Sequence, residues 1–304
     1  MTSHSVHVLL PNDIDDPAAP SGGNIYDRRI CQGLAVQGFS VHEQAARGTW
    51  PQPSPSDRSD FSGVLGKVPD GSVTLVDGLI ASAVPDLLQP HARRLRLVVL
   101  MHMPLANTLE GQALSSAVAI VTTSRWARGR LLELYGLPAE RVHAAPPGVD
   151  EASVAPGSPG GSRLLCVAAV APNKGHDILV EALASLGSHP FWNCVCVGSL
   201  DRDPSFVELV RRRAAQAGIA GRLRFCGART GADLEAAYAE ADLLVLPSRG
   251  ETYGMVVTEA LARGIPVLAS DVSGVHEALG RAPGGALPGI LVPRKIAQFA
   301  WQSR

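Results

Sequence analysis

Two carboxylates, Glu251 and Glu259, bracket Gly254 in the run Pro247-Ser248-Arg249-Gly250-Glu251-Thr252-Tyr253-Gly254-Met255-Val256-Val257-Thr258-Glu259. Upstream, Asp242 to Pro247 is a short apolar stretch with the character of a buried parallel strand. Downstream, Met255 to Arg263 is apolar at helical spacing and stops at Gly264. The pattern predicts Glu251 in a strand-to-helix loop and Glu259 on the helix, where open α/β sheets bind ligands. Gly254 clears space there. The unpaired amides of the first helical turn, from Met255, can hold an anion while each carboxylate accepts hydrogen bonds from hydroxyls. A sugar nucleotide offers both kinds of group. For two glutamates without this setting, a surface-loop carboxylate and a solvated helix carboxylate would be the ordinary reading.

A cation stands at another such junction. Lys174, in Pro172-Asn173-Lys174-Gly175-His176, lies between a strand and a helix from about His176 to Leu186, where an ammonium can neutralise a leaving diphosphate. Lysine is scarce in this chain, which sets Lys174 apart from a routine solvated lysine. Gly22 and Gly23 follow the first strand and precede a helix from about Asn24 to Leu34, so backbone amides there can approach a pyrophosphate with no Cβ in the way. A plain tight turn accounts for the same glycines. The loop is not a nicotinamide fingerprint, because Gly22-Gly23-Asn24-Ile25-Tyr26-Asp27 does not fit G-x-G-x-x-G. His102 ends the apolar strand Leu97-Val98-Val99-Leu100-Met101-His102, and Asp77 ends Leu75-Val76-Asp77. Each can face a ligand from a strand's C-terminal end; core packing for the histidine and capping for the aspartate are the competing roles. Asp13-Ile14-Asp15 and Asp201-Arg202-Asp203 have the Asp-x-Asp form of a metal site, but the prolines that follow make both turns or helix entries. No metal is expected. A serine hydrolase is poorly supported, since no G-x-S-x-G elbow occurs.

Short β-like runs alternate with helical stretches along the whole chain, the pattern of parallel sheets covered by helices. One series has strands near Val6–Leu10, Ser40–Gln44, Val73–Asp77, Leu95–His102, Ala119–Thr123 and Val142–Ala145. A second has them near Leu164–Val170, Asn193–Gly198, Arg222–Cys226, Leu243–Leu246, Pro266–Ala269 and Ile290–Val292. The fold class expected is therefore α/β, two Rossmann-like doubly wound domains facing a cleft. They cover residues 1–149 and 163–304, with a Pro/Gly/Ser/Ala-rich linker at 150–162. The Pro/Ser-rich stretch Trp50–Ser62 reads as an irregular excursion of the first domain. With 304 residues the chain suits two small α/β domains. A net charge of −1 leaves no basic excess for a nucleic-acid partner. No apolar run is long enough to span a bilayer, and five cysteines, several in apolar strands, fit a cytoplasmic protein. Cys194 and Cys196 should face one side of a strand as core residues.

The Glu251-to-Glu259 segment resembles the Glu-x7-Glu signature of retaining glycosyltransferases with the GT-B fold, and the chain around it is similar to glycosyltransferase family 4. Ser21-Gly22-Gly23-Asn24, Thr122-Thr123-Ser124, Pro147-Gly148-Val149-Asp150, Pro172-Asn173-Lys174-Gly175 and Ala241-Asp242-Leu243-Leu244-Val245-Leu246-Pro247-Ser248 carry that resemblance in order and spacing. It implies a nucleoside diphosphate sugar as donor, no metal or other cofactor, and transfer with retention to an acceptor that the sequence does not identify. Glu251 would contact the donor sugar, Glu259 the ribose, and Lys174 the diphosphate. His102 would bind the donor sugar, and the helix amides at Gly254 and Met255, with the Gly22-Gly23 loop, would stabilise the leaving charge. Two departures stand out. Ala168-Ala169-Val170 replaces the Gly-Arg-Leu run that commonly precedes the family lysine, and the tail beyond Pro293 is short, so a truncated second domain is expected. They keep two alternatives open, a non-catalytic sugar-nucleotide-binding protein and a sugar-nucleotide epimerase of the same architecture. Peripheral membrane contact would follow only from a lipid acceptor, and the oligomeric state is not fixed by the sequence.

Overall fold

The computed structural model describes residues 5–18, 20–186 and 192–293. Contacts divide the chain into two compact units, Met1–Pro147 and Gly148–Arg304. The first contains strands β1 (Ser5–Pro11), β2 (Ser40–Ala46), β3 (Val73–Asp77), β4 (Arg96–Met101), β5 (Ala119–Thr122) and β6 (Val142–Ala144). Its helices are α1 (Gly22–Val36), α2 (Pro55–Lys67), α3 (Gly78–Ala83), α4 (Pro85–Leu88), α5 (Thr108–Ser116) and α6 (Arg125–Tyr135). The sheet order is β2-β1-β3-β4-β5-β6, with every neighbouring pair parallel. Helices cover both faces, so its strands are apolar on both sides. In β1, Val8 and Leu10 pack with Cys31 of α1, whereas the intervening Leu9 packs with Phe61 and Leu65 of α2. From β1 the chain adds β2 on one side and β3 on the other, which puts the topological switch point between β1 and β3.

The second unit repeats the plan. Its strands are β7 (Arg163–Val167), β8 (Asn193–Val197), β9 (Leu223–Phe225), β10 (Leu243–Leu246), β11 (Val267–Asp271) and β12 (Gly289–Pro293). Its helices are α7 (His176–Ser185), α8 (Pro204–Gln216), α9 (Gly231–Ala239), α10 (Met255–Ala262) and α11 (Val275–Leu279). The order β12-β11-β10-β7-β8-β9, again all parallel, puts the switch point between β7 and β10. Cys166, Cys194 and Cys196 line one face with Leu179 and Val207, and Leu165 joins Val257 and Ala260 on the other. The two cysteines of β8 thus share a core face, as their spacing requires. Among the described residues no helix is long and apolar enough to cross a membrane.

Each of the twelve expected strands is present, but two helical expectations need correction. Helix α1 begins at Gly22, not Asn24, because the Ser21 hydroxyl accepts from the Asn24 amide and caps the helix two residues earlier. Gly22 and Gly23 are therefore first-turn residues. The stretch Trp50–Ser62 is no irregular excursion, since α2 starts inside it. Ser54 and Asp57 form a reciprocal capping box, with Pro55 in the first turn. Phe61 and Leu65 then bury the inner face of α2. The expectation about the tail falls on residues 294–304, outside the described residues.

The extended segment at the start of the second unit is fastened to it by Asp242. That carboxylate accepts hydrogen bonds from the Ser158 hydroxyl at 2.6 Å and the Arg163 amide at 2.8 Å. Burial tends to raise its pKa, but bonds from the Ser158 hydroxyl and the Arg163 and Ser158 amides outweigh that and hold it below the usual range. A carboxyl with a depressed folded-state pKa stabilises the protein above its unfolded pKa and loses that contribution as pH falls through the folded value. Asp242→Asn should therefore lower stability at pH 7 by about 1 kcal/mol, at the low end for a charged hydrogen-bond acceptor because solvent screens it. In thermal melts across acidic to neutral pH, the gap between the two proteins should close below about pH 4.

Candidate functional site

In the second unit the loops that follow β7 and β10 meet beside the switch point. Gly175 makes this possible. Its φ is 70°, and a Cβ there would lie 2.1 Å from the Pro247 carbonyl oxygen, so the backbones touch where no side chain fits. The Arg249 amide donates to the Asn173 carbonyl at 2.8 Å. The Arg249 guanidinium forks onto Asp177, with Nη1 to Oδ1 at 2.8 Å and Nη2 to Oδ2 at 2.6 Å. These bonds lock the Lys174 turn to the Glu251 loop.

Lys174 and Glu251 come together on that scaffold. Lys174 Nζ lies 2.6 Å from Glu251 Oε1, and the buried Ser248 hydroxyl donates to the same oxygen at 2.7 Å. The pair is only partly exposed, with side-chain exposures of 26% and 11%, so solvent screens it incompletely and a ligand can still reach it. Beyond it, Gly254 takes φ 94° and opens α10 without any side-chain cap. The Val257 amide turns back to the Gly254 carbonyl at 2.9 Å, so the donors at the helix start come from the Met255 and Val256 amides, where the helix dipole adds positive potential. Gly274 braces the same loop, donating its amide to the Glu251 carbonyl at 2.9 Å.

Glu259 lies further along α10 with a different partner. Its Oε2 accepts from the fully buried Tyr238 hydroxyl at 2.6 Å. Burial first, and then the Glu259 carboxylate, pushes the Tyr238 pKa far above its usual value, so the phenol remains a donor. Arg263 stacks its guanidinium over the Tyr238 ring at 4.6 Å and donates to the Glu259 carbonyl at 2.7 Å. Tyr238 thus fixes one oxygen of Glu259.

The first unit gathers a separate cluster around its own switch point. His102 follows β4 directly, one residue beyond the strand's end at Met101. Its Nε2 lies 2.8 Å from Asp27 Oδ1, on α1, and 3.3 Å from Asp77 Oδ2, at the end of β3. Of the two roles the sequence allowed Asp77, the structure shows the cap: its Oδ1 accepts from the Leu79 and Ile80 amides at the start of α3. Gly23 lies against the His102 ring, where an added Cβ would come 3.2 Å from Cδ2. Sequence reasoning missed Asp27 and Tyr238, which sit on helical faces with no local signature of their contacts, and Ser248, whose position in the motif was visible but whose bond to Glu251 was not. Two groups among the described residues are compact enough to share a metal ion, Asp27 with Asp77 and His102, and Cys166 with His176 and Cys196. In the second, Cys166 Sγ lies 3.8 Å from His176 Nε2 within the core.

Residues 161–303 match the profile of the family described as Glycosyl transferases group 1. D-inositol 3-phosphate glycosyltransferase of Jonesia denitrificans is 32% identical over 197 residues, which cover 59% of this chain and 46% of that protein. Its counterpart in Salinispora tropica is 32% identical over 205 residues, covering 59% and 42%. The chain thus spans about half the length of these curated relatives. Among solved structures, sucrose-phosphate synthase from Thermosynechococcus elongatus superposes with a TM-score of 0.75 at 21% identity, over 97% of this chain and 87% of that one. A glycosyltransferase from Rickettsia africae gives 0.70 at 16%, over 98% and 86%. HepE of Anabaena in complex with UDP-glucose gives 0.67 at 18%, over 96% and 86%. With its two parallel six-stranded units, the chain has the GT-B glycosyltransferase fold, and its second unit carries the match to glycosyl transferases group 1.

Proposed function

We propose that the protein is a retaining glycosyltransferase of family 4 type, moving a sugar from a nucleoside diphosphate sugar to a hydroxyl acceptor. The Lys174–Glu251 pair beside the uncapped start of α10 carries this reading, because it sets a cation, amide donors and a hydroxyl-binding carboxylate at one sheet switch point. The UDP-glucose complex of HepE and the D-inositol 3-phosphate glycosyltransferases are in keeping with such a donor. Five free cysteines agree with a reducing, cytoplasmic setting.

In this reading the donor's diphosphate draws the Lys174 ammonium away from Glu251. The α10 amides at Gly254 and Met255 take further phosphate oxygens. Glu251, released on one oxygen, accepts from the sugar hydroxyls, and Glu259 accepts from the ribose with its oxygen not held by Tyr238. The bond from the anomeric carbon to the phosphate oxygen breaks as the acceptor oxygen bonds to that carbon on the same face. The acceptor's proton passes to the leaving phosphate, so no protein base is needed. Lys174 and the helix terminus stabilise the charge that develops on the diphosphate. Gly22 and Gly23, in the first turn of α1, supply further amide donors, and His102 donates to the donor sugar.

Lys174→Ala should weaken nucleotide diphosphate binding by about 10- to 100-fold, the usual worth of a charge-assisted contact. Glu251→Gln should leave nucleotide binding intact or tighter, since it removes the lysine's counter-charge, yet lower kcat by about a hundredfold or more through lost sugar placement. Calorimetry with UDP, GDP and ADP, paired with sugar-transfer assays, separates the two effects. Equal loss of binding in both variants would refute the exchange of partners. Tyr238→Phe should weaken nucleotide binding by roughly threefold to tenfold through a mobile Glu259, with a smaller effect on the free diphosphate group. Comparing a nucleoside diphosphate with pyrophosphate in the same titration reads that difference.

A further inference from the structure

Arg263 is buried, with 9% of its surface exposed, although it lies in neither of the loops that carry Lys174 and Glu251. A guanidinium withdrawn from water is costly unless its donors are met, and here they are met around one side chain, Tyr238. Its Nη1 donates to the Glu259 carbonyl at 2.7 Å, while Nε, at 3.1 Å, and Nη2 fork onto the two carboxylate oxygens of Glu235. Its Cζ stands 4.6 Å from the centre of the Tyr238 ring. Glu235 and Tyr238 are three residues apart on α9, and Glu259 and Arg263 four apart at the end of α10, so each pair shares a helical face. The arginine's own backbone is held as well, because its carbonyl accepts from the Ala155 amide at 2.9 Å. Glu235 is 58% exposed, so its ion pair adds little stability; what the fork fixes is the guanidinium's angle over the ring. At the centre, the buried Tyr238 hydroxyl donates to Glu259 Oε2 at 2.6 Å.

We propose that Arg263 is a positioning residue for ribose recognition. Acting through Tyr238, it holds the Glu259 carboxylate still, and that fixity lets the site tell a ribonucleoside diphosphate from one that lacks the ribose hydroxyls. The inference rests on the contact between Glu259 and the ribose in the transfer reading. A carboxylate pinned by a buried phenol cannot swing toward water when its hydroxyl partner is missing, so the analogue leaves a half-buried acceptor unpaired and is penalised. A carboxylate free to turn finds water instead, and the penalty shrinks. Arg263 therefore adds nothing to phosphate binding, and its effect is confined to the sugar of the nucleotide.

Calorimetry on the full chain tests this. Titration with UDP, GDP and ADP first finds the base that binds; the dideoxyribose form of that nucleotide, which lacks both ring hydroxyls, and pyrophosphate then serve as probes. The unsubstituted protein should favour the ribose form by about tenfold or more. In Arg263→Met that preference should fall by about fivefold through weaker binding of the ribose form, while affinity for the dideoxyribose form and for pyrophosphate changes by less than about twofold. Arg263→Lys keeps the cation without the fork and should restore part of the preference, and Glu235→Gln should show a smaller fall than Arg263→Met. A damaged fold would instead weaken all three ligands together. If Arg263→Met does not fold, Glu235→Gln, at an exposed position, carries the same comparison. A preference that survives intact in the folded variants, or an equal loss for all three ligands, overturns the proposal and leaves the transfer reading standing. A nucleoside diphosphate bound with no preference for its ribose overturns the Glu259 contact and the proposal together, and no binding of any nucleoside diphosphate sinks the transfer reading as well.

Discussion

The contact between Gly175 and the Pro247 carbonyl is the constraint on which the second unit's site depends. Two loops, each leaving a neighbouring parallel strand, can come within backbone contact only where one of them lacks a side chain and accepts a positive φ. Once they meet, the Arg249–Asp177 fork and the Arg249-to-Asn173 bond hold them in register, and Lys174 and Glu251 are brought to 2.6 Å. Substituting either charged partner alters the chemistry; substituting the glycine removes the geometry that makes the chemistry local. Catalytic proteins commonly set reactive groups on loops over a rigid scaffold, and here the scaffold extends into the loops themselves.

The sheets explain why both clusters are where they are. A parallel sheet that grows from its first strand in two directions leaves its crossover connections diverging at one point, and a crevice opens there at the strands' C-terminal ends. In the second unit that point lies between β7 and β10, and in the first between β1 and β3. Lys174 and Glu251 follow one pair of strands, while Asp77 ends β3 and Asp27 lies in the helix after β1, with His102 just past the end of β4. Neither unit needs residues close in sequence to build its site. The topology does the gathering.

That topology was legible in the sequence because strands buried on both faces are apolar throughout and helices punctuate them regularly. Glu251 in a loop, Glu259 on a helix and Lys174 at a turn were legible for the same reason. The misread start of α1 and the overlooked α2 were local errors of a different kind. At Ser54 the capping box and Pro55 spelled out a helix, but the surrounding prolines and serines looked like a loop. Asp27 and Tyr238 were hidden by a physical fact. A polar residue on the inner face of a helix is recognisable only when its partner is known, and the partners, His102 and Glu259, are distant in sequence. The Asp-x-Asp triplets lie where the sequence put them, one in a turn and one at a helix entry, with Asp203 capping α8.

The pairing of Lys174 with Glu251 also bears on what the site turns away. A bare cation at a helix start would attract any passing anion, and the cell's abundant inorganic phosphate would compete for it continuously. With its charge already balanced at 2.6 Å, the ammonium gains little from a small anion that must break the pair and leave a partly buried carboxylate uncompensated. A ligand that brings hydroxyls for Glu251 as well as phosphate for Lys174 satisfies both halves of the broken pair. Under the proposed transfer reading, neutrality at rest would act as a filter, admitting molecules in which sugar and phosphate are joined and discouraging phosphate alone.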